Sequence, residues 1–170
     1  MTIHKSGEKP LDPTDWQLLQ HLQEDARLSY HELGRRIGMS ATAVAERVRR
    51  LEDAGVITGY HARVDPARVG LPITAFILTT CIRNRCFYSN AQQSDFPEVL
   101  EYHRLTGRNC GIFKVCVSSV KHLEELIDRI SVYELPTTSI VLSTPWVKHT
   151  LDDAMVGERT ASATGRTWSE

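Results

Sequence analysis

The sequence predicts an α+β protein with an N-terminal three-helix helix-turn-helix domain, a hinge strand and a C-terminal ferredoxin-like domain. Between residues 11 and 59, apolar side chains recur at the spacing of amphipathic helices. After residue 73, β-rich runs and helical segments follow one another in the order βαββαβ, the split-βαβ pattern. The 170 residues, 41% hydrophobic and 24% charged, suffice for one ordinary domain or two small ones and exclude wholesale disorder.

The first two helices are predicted from their boundary residues. The first is expected to begin near Asp12 or Thr14, with Pro13 at an early position where its missing N–H costs little. The second follows Ser29, a favourable N-cap residue, and ends at Gly38.

The third helix is expected to begin after the N-cap residue Ser40 and to extend to about residue 54, before Gly55. Apolar residues at i, i+4 and i+7 form its buried face: Val44, Val48 and Leu51. The link between the second and third helices covers only residues 38–40 and contains a glycine. Two helices on so short a turn indicate a helix-turn-helix, and we assign this domain to residues 11–59.

The rest of the chain is divided by changes in pattern. Alternating apolar and polar residues, followed by Pro66, Gly70 and Pro72, predict a hinge strand and linker over 60–72. The ferredoxin-like domain is expected over 73–150, with a weak helix ending near Phe96 and a second helix capped by Ser118 or Ser119. Its predicted strands are 73–82, 101–106, 111–117 and 137–143. Residues 1–10 are expected to be a disordered lead, and residues 151–170 a flexible tail.

The charge distribution favours double-stranded DNA as a partner. The whole chain has a net charge of −1, but residues 26–50 contain six arginines and two glutamates, a local net charge of +4. Arginine is the side chain best suited to bidentate contacts with phosphate or guanine. The location of the charge, rather than its total, therefore supports DNA binding.

The buried face of the third helix determines which side chains are expected to meet DNA. Ala43, Arg47 and Arg50 should form one outward stripe, so that the guanidinium groups point into solvent where a duplex can reach them. Small residues near the N-terminus can approach base edges, and the arginines can hold phosphate or guanine. For an isolated helix, a merely solvated arginine face is the alternative. The predicted DNA-binding residues are Arg36, Ser40, Thr42, Ala43, Glu46, Arg47 and Arg50.

Other classes of function have weaker support. The cysteine spacings C-x4-C and C-x5-C do not match a structural zinc site, so no metal site and no cofactor are predicted. Cys110 with His103 lacks a third orienting group, and we expect no enzyme. The apolar run from 73 to 82 is too short to span a membrane, and no signal peptide precedes it. A cytoplasmic protein that makes no membrane contact is therefore expected.

Several segments resemble the Lrp/AsnC feast/famine transcriptional regulators. They are L-D-P-T-D-W-Q-L-L-Q-H-L-Q-E-D-A-R-L-S over 11–29, E-L-G-R-R-I-G-M-S over 32–40, V-A-E-R-V-R-R-L-E-D-A-G-V-I-T-G-Y over 44–60, F-P-E-V-L-E-Y-H-R-L-T-G over 96–107 and T-T-S-I-V-L-S over 137–143. The resemblance covers roughly residues 11–148. It implies a sequence-specific regulator whose C-terminal domain binds an effector, usually an amino acid, and forms homodimers that assemble into tetramers or octamers.

The resemblance also implies which residues bind the effector, although the loop departs from the family pattern. In the family this loop usually has the pattern Gly-x-x-Asp-Tyr, whereas here Cys110 and Gly111 replace the acidic and aromatic residues. The implied residues are Gly107, Arg108, Asn109, Cys110, Gly111, Thr138, Ser139 and Ile140. Arg108 can pair with an effector carboxylate or be a solvated turn residue. An effector amine can be held by backbone carbonyls and Asn109; the ligand can also differ or be absent, which leaves an architectural DNA-binding protein as the alternative.

Overall fold

The computed structural model describes residues 10–82 and 86–156. Within these ranges the helices are α1 (Pro13–Glu24), α2 (Tyr30–Ile37), α3 (Ala41–Asp53), α4 (Phe87–Asn90) and α5 (Val120–Ser131). The strands are β1 (Ile73–Cys81), β2 (Val99–Arg104), β3 (Gly111–Val117) and β4 (Glu134–Ile140). The described residues form two compact units, one of residues 10–61 with 147–156 and one of residues 62–146. Residues 1–9 of the expected lead and 157–170 of the expected tail lie outside the described residues.

The three N-terminal helices begin at the predicted capping residues. The Asp12 side chain accepts a hydrogen bond from the Asp15 N–H at 2.8 Å, and the Asp15 side chain accepts one from the Asp12 N–H at 3.2 Å, which completes a capping box. Ser29 and Ser40 cap α2 and α3 in the same way through their hydroxyl groups. The helices enclose a small core of Leu18, Leu22, Leu33, Val44 and Val48.

Two glycines shape the turn between α2 and α3. Gly38 ends α2 in the left-handed conformation, with φ of 72°. Gly34, one turn earlier, is buried against the carbonyl of Met39, and a Cβ at this position would collide with that oxygen. The absence of a side chain at residue 34 thus lets the chain fold back over α2.

The C-terminal unit is a four-stranded antiparallel sheet in the order β2-β3-β1-β4, the arrangement of a ferredoxin-like fold. The pairing aligns Ile77 of β1 with Phe113 of β3 on one side and with Thr138 of β4 on the other. Alternate residues of the sheet pack with α5 in a core of Ala75, Ile77, Phe87, Phe96, Phe113, Val115, Val117, Leu123, Leu126 and Ile130. The predicted α+β class and βαββαβ order are confirmed.

Pairing with neighbouring strands corrects several predicted boundaries. β4 begins three residues before the prediction, because Glu134 pairs with Cys81 at the end of β1. Pro136 is tolerated inside it because β4 lies at the edge of the sheet. The weak helix expected before Phe96 is reduced to the four residues of α4 and a 3-10 turn, Gln93–Asp95. The 111–117 strand forms as predicted.

Two expectations for the connecting segments are wrong within the described residues. Residues 60–65 form no strand, since each described strand of the sheet lies within 73–140 and none pairs with this segment; a 3-10 turn, Pro66–Val69, follows. The beginning of the expected flexible tail is held in place: Leu151 and the side chain of Gln23 exchange two hydrogen bonds, of 2.8 and 3.0 Å. None of the described helices is long and apolar enough to cross a membrane.

Candidate functional site

The start of α3 and its cap carry three exposed polar side chains, Ser40, Thr42 and Glu46. Ser40 caps the helix by accepting a hydrogen bond from the Ala43 N–H at 3.2 Å. Val44, Val48 and Leu51 are buried, as predicted. The exposed side chains on α3 and its cap are Ser40, Thr42, Glu46, Arg49, Arg50, Glu52 and Asp53. Because the first N–H groups of a helix carry partial positive charge, this end favours a nearby phosphate.

The structure corrects the predicted stripe of free arginines. Arg47 does not point freely into solvent: one of its Nη atoms lies 2.6 Å from Asp12 and 2.8 Å from Asp15, and its side chain is only 26% exposed. Arg50 is half exposed, with one Nη 2.8 Å from the Asp15 carboxylate. The face of α3 that is open to solvent therefore includes Thr42, Glu46 and Arg49, rather than following the predicted line of Ala43, Arg47 and Arg50. Helical spacing did not predict these pairs, because each acidic residue precedes its arginine by 32 to 35 positions.

The Asp12 and Asp15 carboxylates receive these guanidinium groups at the start of α1. Asp15 is buried, and it accepts from both Arg47 and Arg50. Hydrogen bonding from Arg47, supported by the Asp15 N–H, holds the pKa of Asp12 below its usual value. The two carboxylates of the capping box thus bind the guanidinium groups of two α3 arginines, Arg47 and Arg50.

On α2, Glu32 occupies a similar position for Arg35 and Arg36. Its carboxylate lies 2.8 Å from an Nη of Arg35 and 3.1 Å from the Nε of Arg36. These hydrogen bonds, Arg35 first, lower the pKa of Glu32 to about 2. Arg36 is thereby oriented on the surface of α2, with its side chain 38% exposed.

The predicted effector loop follows β2 and has little free polar surface beyond Arg108 and Gly107. Cys110 is held down, since its N–H donates to the Thr79 carbonyl at 2.9 Å and its thiol lies 3.4 Å from the same oxygen. Asn109 faces the Thr80 hydroxyl at 3.5 Å. Gly111 is buried, and a Cβ there would stand 2.8 Å from the Tyr102 ring. Gly111 therefore packs against Tyr102 in the single chain, and its expected contact with an effector stays a prediction.

The other predicted effector residues lie on β4, away from the loop. β1 separates β4 from β3, so two strand spacings, about 10 Å, lie between them. Thr138 and Ser139 point to opposite faces of the sheet because successive residues of a strand alternate. A single chain does not bring Thr138, Ser139 and Ile140 together with residues 107–111.

A cluster that the sequence analysis did not predict lies where β1 ends. One sulfur each of Cys81 and Cys86 and one carboxylate oxygen of Glu134 lie within 4.8 Å of one another. The neighbouring Cys110 thiol, followed by burial, raises the pKa of Cys81 to about 12. Burial, with the Glu134 charge next, raises the pKa of Tyr102 to about 12. Only the pairing of β1 with β4, which the spacing of cysteines does not encode, brings Glu134 to the thiols.

The contacts of Cys110 and His103 do not support a catalytic thiol. His103 lies 3.1 Å from Glu101, while the Cys110 thiol points to the carbonyl of Thr79. His103 is on β2 and exposed. Cys110 and His103, the pair considered and rejected as a nucleophile and base, each have a different hydrogen-bond partner.

The three helices and the capped, exposed start of α3 define a helix-turn-helix protein, here followed by an α+β domain. Residues 11–52 match the AsnC-type helix-turn-helix domain, and residues 74–151 match the Lrp/AsnC ligand binding domain. The chain belongs to the Lrp/AsnC family of transcriptional regulators. The resemblance seen in the sequence is thereby confirmed.

Relatives of known sequence and structure support this assignment along most of the chain. The chain is 44% identical to the HTH-type transcriptional regulator YezC of Bacillus subtilis over 133 residues, which cover 78% of this chain and 94% of YezC. The structure of LrpC from B. subtilis superimposes with a TM-score of 0.77 at 31% identity, over 82% of this chain and 100% of that chain. The feast or famine regulatory protein of Mycobacterium tuberculosis, solved in complex with L-methionine, has a TM-score of 0.76 at 33% identity, over 84% and 100%.

Proposed function

We propose that this regulator reads DNA with the exposed N-terminal half of α3 in the major groove. The observation that carries the proposal is the open surface formed by Ser40, Thr42 and Glu46 on a capped helix. Hydroxyl groups can bond to either kind of base pair, Glu46 can accept a hydrogen bond from cytosine N4, and Ala43 can contact a thymine methyl group. Arg36 and Arg50, both partly exposed, are placed to contact phosphates beside the groove.

Arg47 has a different part in this proposal from the one predicted from sequence. Its guanidinium is occupied by Asp12 and Asp15, so its main effect is to hold α3 against α1. Any contact of Arg47 with DNA would have to compete with both carboxylates. We therefore assign it to positioning the recognition helix, and leave phosphate binding to Arg36 and Arg50.

We further propose that the chain acts as a homodimer that assembles into tetramers or octamers. The face of the sheet opposite α5 carries partly exposed apolar side chains, among them Phe76 and Leu135, which are 37% and 61% exposed. A second copy of the same sheet can cover this face. A two-fold dimer presents two recognition helices, so the operator should be an imperfect palindrome with half-sites about one helical turn apart.

The effector is proposed to be an amino acid, as in the M. tuberculosis relative solved with L-methionine. Residues 107–111 and 138–140 are separated within one chain, so the proposed site is completed by a neighbouring copy. Arg108, exposed in the loop, would pair with the effector carboxylate. Without an acidic side chain in the loop, the ammonium group would be bound by backbone carbonyls and Asn109. No catalytic step is proposed, and a DNA-binding regulator would act in the cytoplasm.

The test is to select operators from random duplexes and then titrate each amino acid, beginning with L-methionine. Operator affinity and particle mass in solution are followed together, with Arg108→Ala as the loop variant. A change in mass or affinity that Arg108→Ala weakens supports the proposal. Lys121→Ala, an exposed residue on α5, is the matched control and should respond like the wild type. If no amino acid changes either quantity, the architectural alternative without small-molecule control is correct.

A further inference from the structure

A group of thiols and one carboxylate at the end of β1 is not used by the proposed DNA surface. Cys81 ends β1, Cys86 precedes α4, and Glu134 begins β4. Their sulfur and oxygen atoms lie within 4.8 Å of one another. The Cys110 thiol is at the same end of β1, 3.4 Å from the Thr79 carbonyl oxygen.

Glu134 is the feature of this cluster that needs an explanation. The residue is fully buried; one oxygen accepts from the Phe87 N–H at 3.0 Å and from the Cys81 thiol at 3.8 Å. Its second oxygen is buried without a hydrogen-bond partner, and in the described part of the chain no Lys, Arg or His forms an ion pair with it. A buried carboxylate is costly unless a cation or several donors compensate it.

A second unsatisfied polar atom lies close by. The Tyr102 hydroxyl is buried without a partner. The Tyr102 ring packs against Phe87, whose N–H donates to Glu134, with the two ring centroids 5.3 Å apart. Two buried oxygens without a hydrogen-bond partner, near the Cys81 and Cys86 thiols, indicate that a bound group satisfies them in the folded protein.

We propose that Cys81, Cys86 and Glu134 bind a zinc ion, with a water molecule in the fourth coordination position. Zinc prefers four ligands in a tetrahedron, with sulfur at about 2.3 Å and oxygen at about 2.0–2.2 Å, which places adjacent ligand atoms about 3.6–3.8 Å apart. The 3.8 Å between the Cys81 sulfur and the Glu134 oxygen already has this value. The Cys86 sulfur lies within 4.8 Å of both atoms and has to approach by at most about 1 Å to reach the tetrahedral spacing.

The surroundings suit a zinc ion better than a disulfide. Each thiol would lose its proton to solvent on binding, and the ion would compensate the buried carboxylate. A disulfide between two of the cysteines would leave Glu134 uncompensated. The Phe87 N–H fixes the orientation of the carboxylate, as outer hydrogen bonds commonly do at metal sites. Cys81 is exposed, which gives the ion a route from solvent.

The experiment uses the full chain, untagged, stripped of metal and kept reduced with a phosphine. Zinc is titrated in competition with a chromophoric chelator, and Co²⁺ is titrated separately to observe thiolate-to-cobalt charge transfer and tetrahedral ligand-field bands. The proposal expects one ion per chain. Cys86→Ser and Glu134→Gln should weaken zinc binding by more than the roughly 10–100-fold typical of losing an outer hydrogen-bond partner.

Cys116→Ser is the matched control, because the Cys116 thiol is buried beside Thr74 at the other end of β1. It should bind zinc as the wild type does. Circular dichroism establishes whether each variant is folded. If a variant does not fold, the number of zinc ions bound per wild-type chain tests the proposal instead. Absence of one-to-one binding in the folded wild type, or equal affinity in Cys86→Ser and Cys116→Ser, would overturn the proposal in favour of a buried water.

Discussion

Arg47 of α3 and Asp15 of α1 are joined by an ion pair of 2.8 Å between a largely buried guanidinium and a buried carboxylate. Asp15 also closes the capping box of its own helix and accepts from Arg50. One carboxylate therefore fixes both the start of α1 and the position of α3. The orientation of the recognition helix depends on a residue outside the helix-turn-helix motif itself.

Asp15→Asn is expected to loosen α3. The amide cannot compensate two guanidinium groups, and removing one partner of a hydrogen bond to a charged group costs about 1–3 kcal/mol. Hydrogen exchange of the α3 amides, measured by mass spectrometry on the full chain, reports the free energy of opening. Asp53→Asn is the control, since its 3.8 Å pair with Arg49 is exposed. Equal exchange in the two variants would contradict this role of Asp15.

Replacement of Arg47 and Arg50 should have separable consequences. Arg47→Ala should lower the stability of α3 more than Arg50→Ala, because Arg47 bridges two carboxylates and Arg50 is half exposed. Arg50→Ala should weaken binding to all sequences and reduce the salt slope of DNA affinity by about one. Fluorescence anisotropy at several salt concentrations measures this slope. A slope equal to that of the wild type would show that Arg50 does not contact phosphate.

The pH dependence of stability should come from carboxylates paired with arginine. In the folded protein, Arg35 and Arg36 lower the pKa of Glu32 from 4.5 to about 2. The unfolded chain then binds more protons, so this contribution is complete above about pH 4.5 and is lost as the pH falls toward about 2. Asp12 acts in the same direction because Arg47 lowers its pKa.

The measurement is the urea midpoint of the helical circular dichroism signal across this acidic range. The midpoint of the wild type should fall with pH more steeply than that of Glu32→Gln, which has no carboxyl to titrate at this position. Parallel curves for the two proteins would exclude a contribution from Glu32.

Gly34→Ala tests the packing of the helix-turn-helix turn. Its methyl group would collide with the Met39 carbonyl, and forcing extra volume into a packed site costs about 1–3 kcal/mol. Gly38→Asn is the matched substitution, since nothing lies near a Cβ there and Asn tolerates the left-handed conformation. Thermal unfolding should show a clear loss for Gly34→Ala and little for Gly38→Asn; the reverse order would refute this account of the turn.

Local chemistry made the helices of the first unit predictable. Asp12, Ser29 and Ser40 are capping residues whose signals lie within a few positions of the helix they start. The βαββαβ order of elements along the chain was likewise predictable from the pattern of apolar and polar residues. The predicted strand over 60–65 did not form. Alternation of apolar and polar residues indicates only that one side of a segment can be buried, whereas a strand also needs a neighbouring strand to which it can hydrogen-bond.

The sites were less predictable because they depend on contacts between distant residues. Arg47 was assigned to DNA from helical spacing alone, and its pairing with Asp12 spans 35 positions. Cys81 and Glu134 are brought together only by the register of β1 and β4. The position of β4 relative to residues 107–111 likewise follows from sheet order. The periodicity of apolar residues predicts which face of a helix or strand is buried, but not which distant residues pack against it.

The most direct test of the central claim is the base preference of Glu46→Ala compared with that of the wild type, each selected from random duplexes. If α3 reads the major groove through its exposed N-terminal half, the folded variant should lose about 1–3 kcal/mol of discrimination at one symmetric pair of positions and keep its salt slope. If Glu46→Ala and Thr42→Ala both fold and both retain the full preference of the wild type, sequence is read by another surface and the claim is wrong.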